Sequence, residues 1–310
     1  MKNKVFKNLD EQIEILRSKG LIINDIDKAK TVLLKENYFF LSGYRHIFMN
    51  NFKDRNFISG TTFEELYAMF TFDRNIRNLF FKNLLIIENN IKSLISYQMS
   101  KKYGFKEKDY LNPKNLNEDS VRVRQVRDVL EKVKRQIRVN GRKHTATIHY
   151  ITNYGYIPLW ILVKVLSFGL VGELYNIFKE SDKLEIANYY NLDVRTFAIY
   201  LTVLSNYRNL CAHEDILYDH KTQREIPDNS IHVNLNIPKE DDMYIYGKND
   251  LYSVIIILKS LLSTQQFTDL INELGYEVDI LSGKVSVIPI SKVLKCMGFP
   301  NNWRDIVDND

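Results

Sequence analysis

One segment of the chain combines three residue types that suit chemistry on a phosphate. In YRNLCAH (207–213), four residues separate Arg208 from His213, and the polar Asn209 follows the arginine directly. Asn209 and His213 are spaced i,i+4 and share one face of a helix, whereas Arg208 is rotated from His213 by about 140°. The long arginine side chain can still reach a phosphate held near His213, so positive charge and proton transfer would meet on one phosphate.

RNA cleavage without a metal ion is the chemistry that these residues fit. RNA carries its own nucleophile, the 2′-hydroxyl group. A histidine removes that proton, or protonates the leaving oxygen, near neutral pH. An arginine binds the phosphate and stabilises the extra negative charge of the transition state, and the asparagine orients either group. Acid and base roles usually need two groups, so a symmetric dimer with two facing motifs would complete the site.

The spacing alone also has a structural explanation. A histidine at a helix end interacts favourably with the helix dipole, and the arginine can serve in an ion pair. An arginine and a histidine with four to six residues between them also occur twice between residues 138 and 149, but Val139 or Lys143 then replaces the polar asparagine. The asparagine therefore distinguishes the segment at 207–213.

The elements that must position this motif are helices. Hydrophobic periodicity predicts a helix over 194–212 with Asp193 as its N-cap, and a much longer helix over 62–102 that begins in a capping box of Thr62 and Glu65. Further helices are predicted over 8–20, 25–37 and 251–262. Two packed helices, separated at Gly169 and Gly172, are expected after Pro158, and a short helix is expected with Ser181 as its N-cap. A turn is expected at 41–43, a hairpin around 231–237 within a polar loop region (214–248), and a strand at 285–288.

The fold class that follows is mainly α. Six prolines and 12 glycines in 310 residues are few, which favours long helices. We interpret 1–310 as one domain, with an N-terminal helical part (1–60), a helical core (61–227) that includes a basic helix at 120–140, and a C-terminal extension of mixed structure (228–310) that packs on the core.

Composition sets the expected compartment and cofactors. Cys211 and Cys296 are the two cysteines of the chain, which argues against a disulfide scaffold or a cysteine zinc site. Histidines and carboxylates show no metal-ligand spacing, so neither a metal nor another cofactor is expected. No signal peptide and no apolar stretch long enough for a bilayer are recognised, so the expected setting is cytoplasmic, without a membrane partner.

The basic helix is amphipathic in an unusual way. Val126, Leu130, Val133 and Ile137 form one apolar stripe. Six cations lie roughly opposite that stripe: Arg124, Arg127, Lys134, Arg135, Arg138 and Arg142. A charged helix face is usually only solvated, but clustered cations equally favour contact with an RNA backbone.

Five stretches of the chain resemble one protein family. RNLCAHEDILYD (208–219) resembles the R-N-x-x-A-H signature of the HEPN superfamily, in the form typical of bacterial abortive-infection (Abi) proteins of the AbiD/AbiF kind. The other four stretches resemble the same family in the same order: YFFLSGYRHIF (38–48), FDRNIRNLFFKNLLIIENNIKSLI (72–95), IPLWILVKVLSFGLVGELYNIF (157–178) and MGFPNNWRDI (297–306). The resemblance covers nearly the whole chain.

The resemblance implies an all-α HEPN core and an activity. It implies a metal-independent endoribonuclease that acts in abortive infection by phage or as the toxin of a toxin–antitoxin pair, and that dimerises across its active site. The family's arginine, polar residue and histidine correspond to Arg208, Asn209 and His213. Expected partners are RNA, as substrate or inhibitor, a second copy of the chain, and an antitoxin.

The chain departs from the family's pattern directly after His213. Many relatives have a second histidine where this chain has Glu214, and an arginine where it has Ile216. This departure puts in doubt any role for a second histidine or for a local basic contact. Glu214 is expected instead to influence the protonation of His213 by its proximity.

Other residues have both a functional and a structural interpretation. Glu88 interrupts an apolar helix and either pairs with Arg208 or another core cation, or is simply solvated. Arg45, with its neighbours in the segment 44–46, either contacts substrate or an interface, or supports the motif helix from below. Tyr207 is a further candidate for a supporting role at the motif. Trp160 and Trp303 are expected in the core, and Cys211 is expected to be buried on the motif helix.

Two other function classes compete with the nuclease. One is a non-catalytic module that binds a structured RNA through the basic helix and the Arg208/His213 pocket. The other is a protein–protein module in which the fold serves only to dimerise. The intact set of arginine, asparagine and histidine favours the nuclease.

The basic helix gives a first testable prediction. Replacing Arg127, Arg135 and Arg138 together by alanine should weaken RNA binding strongly at low salt and reduce the slope of log K against log salt by about two to three, because each lost phosphate contact removes slightly less than one unit. Binding isotherms at several salt concentrations measure this slope. Unchanged binding would remove this helix face from the RNA-binding surface.

Overall fold

The longest helix of the chain, α4 (Phe63–Tyr103), is the central element of the fold. We describe a computed structural model of residues 5–49 and 55–308. Thr62 and Glu65 form the predicted capping box at the start of α4, and Gly104 follows its last residue. At 41 residues the helix is about 60 Å long, so distant parts of the chain pack along it.

The other helices surround α4. The N-terminal part contains α1 (Leu9–Ser18), α2 (Ile26–Glu36), α3 (Tyr38–Gly43) and a 3-10 helix (Tyr44–Phe48). The middle of the chain contains α5 (Glu107–Tyr110), 3-10 helices at Pro113–Asn115 and Ser120–Arg122, α6 (Val123–Asn140), α7 (Thr145–Tyr154), α8 (Leu159–Val165), α9 (Phe168–Asn176), α10 (Glu180–Asn188) and α11 (Val194–Ala212). The last part contains α12 (Ser230–Asn234), strands β1 (Lys239–Glu240) and β2 (Met243–Tyr244), α13 (Leu251–Leu261), α14 (Thr264–Ser282), α15 (Ile290–Cys296) and a 3-10 helix (Trp303–Val307).

Helix α4 contacts three long-range partners that define the core. α8, α11 and α14 all pack against it, and α9 packs between α11 and α6. Leu66, Ile76, Leu84, Ile91 and Ile95 of α4 are completely buried, which shows that apolar contacts extend along most of its length. The mainly α fold class is therefore confirmed.

Several predicted element boundaries are confirmed. The helices expected over 8–20, 25–37 and 251–262 correspond to α1, α2 and α13, and Asp193 caps α11 with its side chain on the N–H of Thr196. The basic helix ends at Asn140. Trp303 and Cys211 are buried.

The two glycines expected to separate helices lie inside one instead. The helix break is at Leu166 and Ser167, and Gly169 and Gly172 belong to α9. A β-carbon at Gly172 would lie 3.6 Å from Cβ of Leu201, and one at Gly169 would lie 3.1 Å from Oγ of Ser205. The glycines therefore permit close packing of α9 on α11.

Other local predictions are wrong, several of them because the segment concerned is helical. The turn expected at 41–43 is the end of α3. The hairpin expected around 231–237 is replaced by α12, and a hairpin of two short strands, β1 and β2, follows it. The strand expected at 285–288 is absent among the described residues. Lys179, rather than Ser181, is the N-cap of α10. Trp160 is 41% exposed and is not a core residue.

The start of α13 contains a buried carboxyl group that links stability to pH. Asp250 caps this helix and accepts hydrogen bonds from the N–H groups of Ser253 (3.1 Å) and Gly247 (3.0 Å). Burial raises the pKa of Asp250 to about 7. At pH values between the pKa of this carboxyl group in the unfolded chain and about 7, the folded protein therefore keeps a proton on Asp250 that the unfolded chain has released.

We expect Asp250→Asn to remove this dependence. The raised pKa means that Asp250 stabilises the fold most at low pH and loses that contribution as pH rises to about 7. Relative to the variant, the wild-type unfolding free energy should fall by on the order of 2 kcal/mol between pH 5 and pH 7 and then stay level. Urea denaturation of both proteins across this range measures the difference. A constant difference at all pH values would contradict the raised pKa.

Candidate active site

Helix α11 places the three motif residues at its C-terminal end. Arg208 and Asn209 lie in its last two turns, and His213 is the C-cap residue. The side chains of Asn209 and His213 are both exposed, and their i,i+4 spacing puts them on one face. Across residues 5–49 and 55–308, no side-chain hydrogen bond of His213 or Asn209 is found. Both groups are therefore accessible to a ligand.

The chain reverses directly after His213 in a Schellman motif. The N–H of Asp215 donates to the carbonyl of Leu210 (3.2 Å), and the N–H of Glu214 donates to that of Cys211 (3.4 Å). Glu214 has a φ of +58°, in the left-handed region where glycine is usual. The residue that replaces the second family histidine therefore sits at the turn of the chain.

Arg208 is held by a buried carboxylate of α4. Its Nε donates to Oε2 of Glu88 at 2.9 Å, and its guanidinium carbon lies 5.7 Å from the ring centre of Phe81. Of the two alternatives for Glu88, the structure shows the pair with Arg208. The remaining guanidinium nitrogens, Nη1 and Nη2, have no hydrogen bond within the described chain, and the side chain is 28% exposed. These nitrogens are free to bind an anion.

Glu88 has a second cationic partner. Nζ of Lys92 donates to Oε1 of Glu88 at 2.6 Å and to the carbonyl of Leu166 at 2.7 Å. Both side chains of this i,i+4 pair are largely buried. The glutamate thus connects α4 to α11 through Arg208, and the lysine connects α4 to the end of α8.

A second buried carboxylate holds the chain that follows the motif. Asp73 accepts hydrogen bonds from the N–H groups of Leu217 and Tyr218 and from the hydroxyl of Tyr44 (2.7 Å). Arg77 donates from Nη1 to Asp73 (2.7 Å) and to the carbonyl of Asp215 (3.0 Å). The segment after His213 is therefore fixed to α4 by two oppositely charged side chains.

Within the segment 44–46, this network shows what Tyr44 does, while Arg45 has a different environment. Tyr44 is buried and supports the chain after the motif, which is the structural alternative. Arg45 instead lines a cleft of about 470 Å³ together with Arg74 and Glu214. Its Nε is buried, with no hydrogen-bond partner in the described part of the chain.

Glu214 lines this cleft, and no hydrogen bond of its carboxylate is found among the described residues. Hydrogen bonding to Glu36 raises the pKa of Arg74, and the charges of Tyr67 and Glu214 add to the effect. Arg45 and Glu214 thus line the same cleft, and Glu214 directly follows His213 in the chain. An influence of Glu214 on the protonation of His213 stays a prediction.

Two residues of the motif helix face the core. The hydroxyl of Tyr207 donates to the carbonyl of His220 at 3.0 Å, and the two rings meet edge to face. Burial raises the pKa of the Cys211 thiol to about 12. Tyr207 therefore anchors α11 to the following loop, and Cys211 is an unreactive packing residue.

The basic helix exposes the expected cations. Val126, Val129, Leu130 and Val133 are buried on the opposite side of α6, and Ile137 packs partly against the core. Lys134 is paired with Glu131 (2.9 Å), and Arg127 lies 3.9 Å from Asp128. Arg142 stands beyond the helix end. Among the described residues no ion pair is found for the other four: Arg124, Arg135, Arg138 and Arg142.

Sequence reasoning missed the second partners of the site. Lys92, Asp73 and Arg77 were not singled out, although each belongs to an i,i+4 pair of opposite charge within an apolar helix. Charged side chains on the buried side of a helix are not solvated, so they need hydrogen-bond or ion-pair partners within the protein. That combination of charge and burial pattern is the signal that would have found them.

Neither a membrane-spanning helix nor a metal-binding cluster is found among the described residues. They contain no helix of the length and apolarity that a membrane crossing requires. They also contain no group of three or more histidine, cysteine, aspartate or glutamate side chains placed to hold a metal ion.

Comparison with known proteins identifies one family. The family model described as "Abi-like protein" matches residues 31–219, which is more than half of the chain and includes Glu88 and the whole motif. Comparisons with curated proteins and with solved structures give no match.

The shared carboxylate predicts unequal effects of removing its charge or its partner. Glu88→Gln should lower the unfolding free energy by on the order of 3 kcal/mol, because Lys92 is left buried with only a neutral acceptor. Arg208→Ala should cost on the order of 1 kcal/mol, because Glu88 keeps Lys92. Urea denaturation followed by circular dichroism compares the two. A larger loss for Arg208→Ala would show that the site is organised by the arginine instead.

Proposed function

Because the chain belongs to the family of Abi-like proteins, which implies a role in abortive infection, we propose that it is a metal-independent endoribonuclease of the HEPN type. One observation carries the proposal. Arg208 is held at its Nε by a buried glutamate, with its outer nitrogens free, at the same helix end as the exposed Asn209 and His213. Cleavage of a phosphodiester requires a cation with free hydrogen-bond donors and a group that transfers a proton, and the outer nitrogens of Arg208 and the imidazole of His213 suit these two roles.

The proposed reaction uses the 2′-hydroxyl group of the RNA. His213 accepts the proton of this hydroxyl, or donates one to the departing 5′-oxygen, as the 2′-oxygen attacks phosphorus. Nη1 and Nη2 of Arg208 bind the non-bridging oxygens and stabilise the extra negative charge of the transition state. Asn209 orients the phosphate or the imidazole. The P–O5′ bond breaks, leaving a 2′,3′-cyclic phosphate and a 5′-hydroxyl end.

We further propose that two copies of the chain complete the site. One motif supplies one imidazole, while the reaction needs both a base and an acid. His213 and Asn209 lie on an exposed face, so a second copy related by twofold symmetry can bring a second His213 to the same phosphate. As a toxin or defence nuclease in the cytoplasm, the dimer would be restrained by an antitoxin or an inhibitory RNA until activation.

A non-catalytic role in RNA binding is the second candidate. The four unpaired arginines at and beyond α6 favour it, since they would hold an RNA backbone whether or not cleavage follows. In that case Arg208 and His213 would form part of a binding pocket for a structured RNA within a defence or toxin–antitoxin complex.

Cleavage of RNA in EDTA by purified protein tests the proposal. Wild type should cut single-stranded RNA and leave cyclic phosphate ends, and His213→Ala should reduce the rate by roughly 10²–10⁴-fold. Arg208→Ala should reduce it comparably, through loss of transition-state stabilisation. Thr202→Ala, at an exposed position of the same helix, is the matched control and should retain the wild-type rate. Mass spectrometry of the products identifies the ends.

Substrates without the nucleophile give the decisive comparison. DNA, and RNA with 2′-O-methyl groups, should remain intact. Cleavage of DNA at a comparable rate would refute the mechanism. Tight binding of RNA without cleavage by wild type, under conditions in which the dimer is present, would favour the binding module.

A further inference from the structure

Helix α7 is exposed to an unusual degree for its composition. Of its ten residues, all of them described, only Thr147 is buried. Ile148, Ile151 and Tyr154 are large apolar or aromatic side chains, yet each is at least 40% exposed. Contiguous exposed apolar side chains often mark an interaction site.

The aromatic side chains at this helix form a continuous row. Neighbouring ring centres are 5.3 Å apart for Tyr150 and Tyr154, 6.4 Å for Tyr154 and Tyr156, 5.8 Å for Tyr156 and Phe105, and 5.3 Å for Phe105 and Trp160. The ring of His149 lies 6.0 Å from that of Tyr154. We call these six residues the aromatic row: Phe105, His149, Tyr150, Tyr154, Tyr156 and Trp160.

The row lies in the most positively charged part of the chain. Residues 132–172 contain no aspartate or glutamate, but they contain seven cations: Lys132, Lys134, Arg135, Arg138, Arg142, Lys143 and Lys164. Lys106 adds a further cation, with Nζ 4.6 Å from the ring centre of Tyr156. Rings interleaved with cations suit a polyanion that carries flat bases, and they disfavour a second copy of the same positive face.

One end of the row lies at a groove that Glu88 also lines. Trp160, His144 and Lys164 line a groove of about 470 Å³ together with Glu88 and Lys92. Glu88 is the residue that holds Arg208. The groove therefore connects Trp160 with the glutamate that holds the arginine of the motif.

We propose that the aromatic row is a stacking platform for unpaired bases of single-stranded RNA that flank the phosphate bound at Arg208. This inference rests on the proposed function for its substrate, and it adds that the substrate is unpaired beside the cleavage point. Paired bases keep their faces stacked within the duplex and cannot lie on the row. The platform therefore selects single-stranded loops or tails over duplex RNA.

Intrinsic fluorescence gives a direct test, because Trp160 is one of two tryptophans and the other, Trp303, is buried. In a His213→Ala background, which prevents consumption of the RNA, a single-stranded oligonucleotide should quench the emission. An oligonucleotide of equal length with abasic positions should not. Trp160→Phe should abolish the quenching while keeping a ring in place. Quenching by the abasic strand, or none by either strand, would overturn the proposal.

Binding by variants of exposed residues provides the second test, with fluorescence anisotropy as the readout. Tyr154→Ala with Trp160→Ala should weaken binding of single-stranded RNA roughly ten-fold or more, because one or two bases lose their stacking partner. Tyr154→Phe with Trp160→Phe is the matched control and should bind like wild type. On the abasic strand the alanine variant should show no further loss, since the same interaction cannot be removed twice.

The outcomes separate this proposal from the nuclease proposal. If single-stranded RNA quenches the fluorescence of Trp160 but the wild-type protein cuts no RNA, the stacking proposal is supported and the nuclease proposal is refuted. Cleavage with unchanged binding and rate in the alanine variant would refute the platform alone. If sedimentation shows that this variant loses self-association while its RNA affinity stays the same, the row is an interface between copies and the platform is refuted.

Discussion

The rest of the candidate site depends on the buried carboxylate of Glu88. A carboxylate out of water is unfavourable unless cations and donors compensate it, and here Arg208 and Lys92 each take one of its oxygens. Because Lys92 also binds the carbonyl of Leu166, three helices are tied together at one point. The charge that stabilises this junction is the same charge that positions the arginine of the motif.

Asp73 performs a comparable task 15 residues earlier in α4. It receives the backbone N–H groups of Leu217 and Tyr218, so the chain after the motif is held from the same helix as the arginine within it. A single long helix therefore sets the spacing between Arg208 and the turn at His213. Arg208 and the chain after His213 are thus both held by one rigid element, while the side chain of His213 remains exposed.

Much of this arrangement could be predicted from the sequence, and the limits have physical causes. Capping residues and periodicity located α4 and α11 closely because these signals are local. The Arg208–Glu88 contact was one of two open alternatives, since a glutamate in an apolar helix must either pair or reach water. The position of Trp160 was predicted wrongly: a run of apolar residues suggested burial, but no described element covers it. The strand at 285–288 was predicted wrongly because short apolar runs do not distinguish strands from helices.

The way in which Arg208 is bound limits what could replace it. Its guanidinium has three nitrogens, and the glutamate occupies only Nε. A lysine has one nitrogen and could hold either the glutamate or a phosphate, not both with the same geometry. The rotational freedom of the arginine is therefore lost when the protein folds, so the binding of an anion to its outer nitrogens does not carry the cost of ordering the side chain. The arrangement at position 208 accordingly depends on the shape of the side chain as well as on its charge.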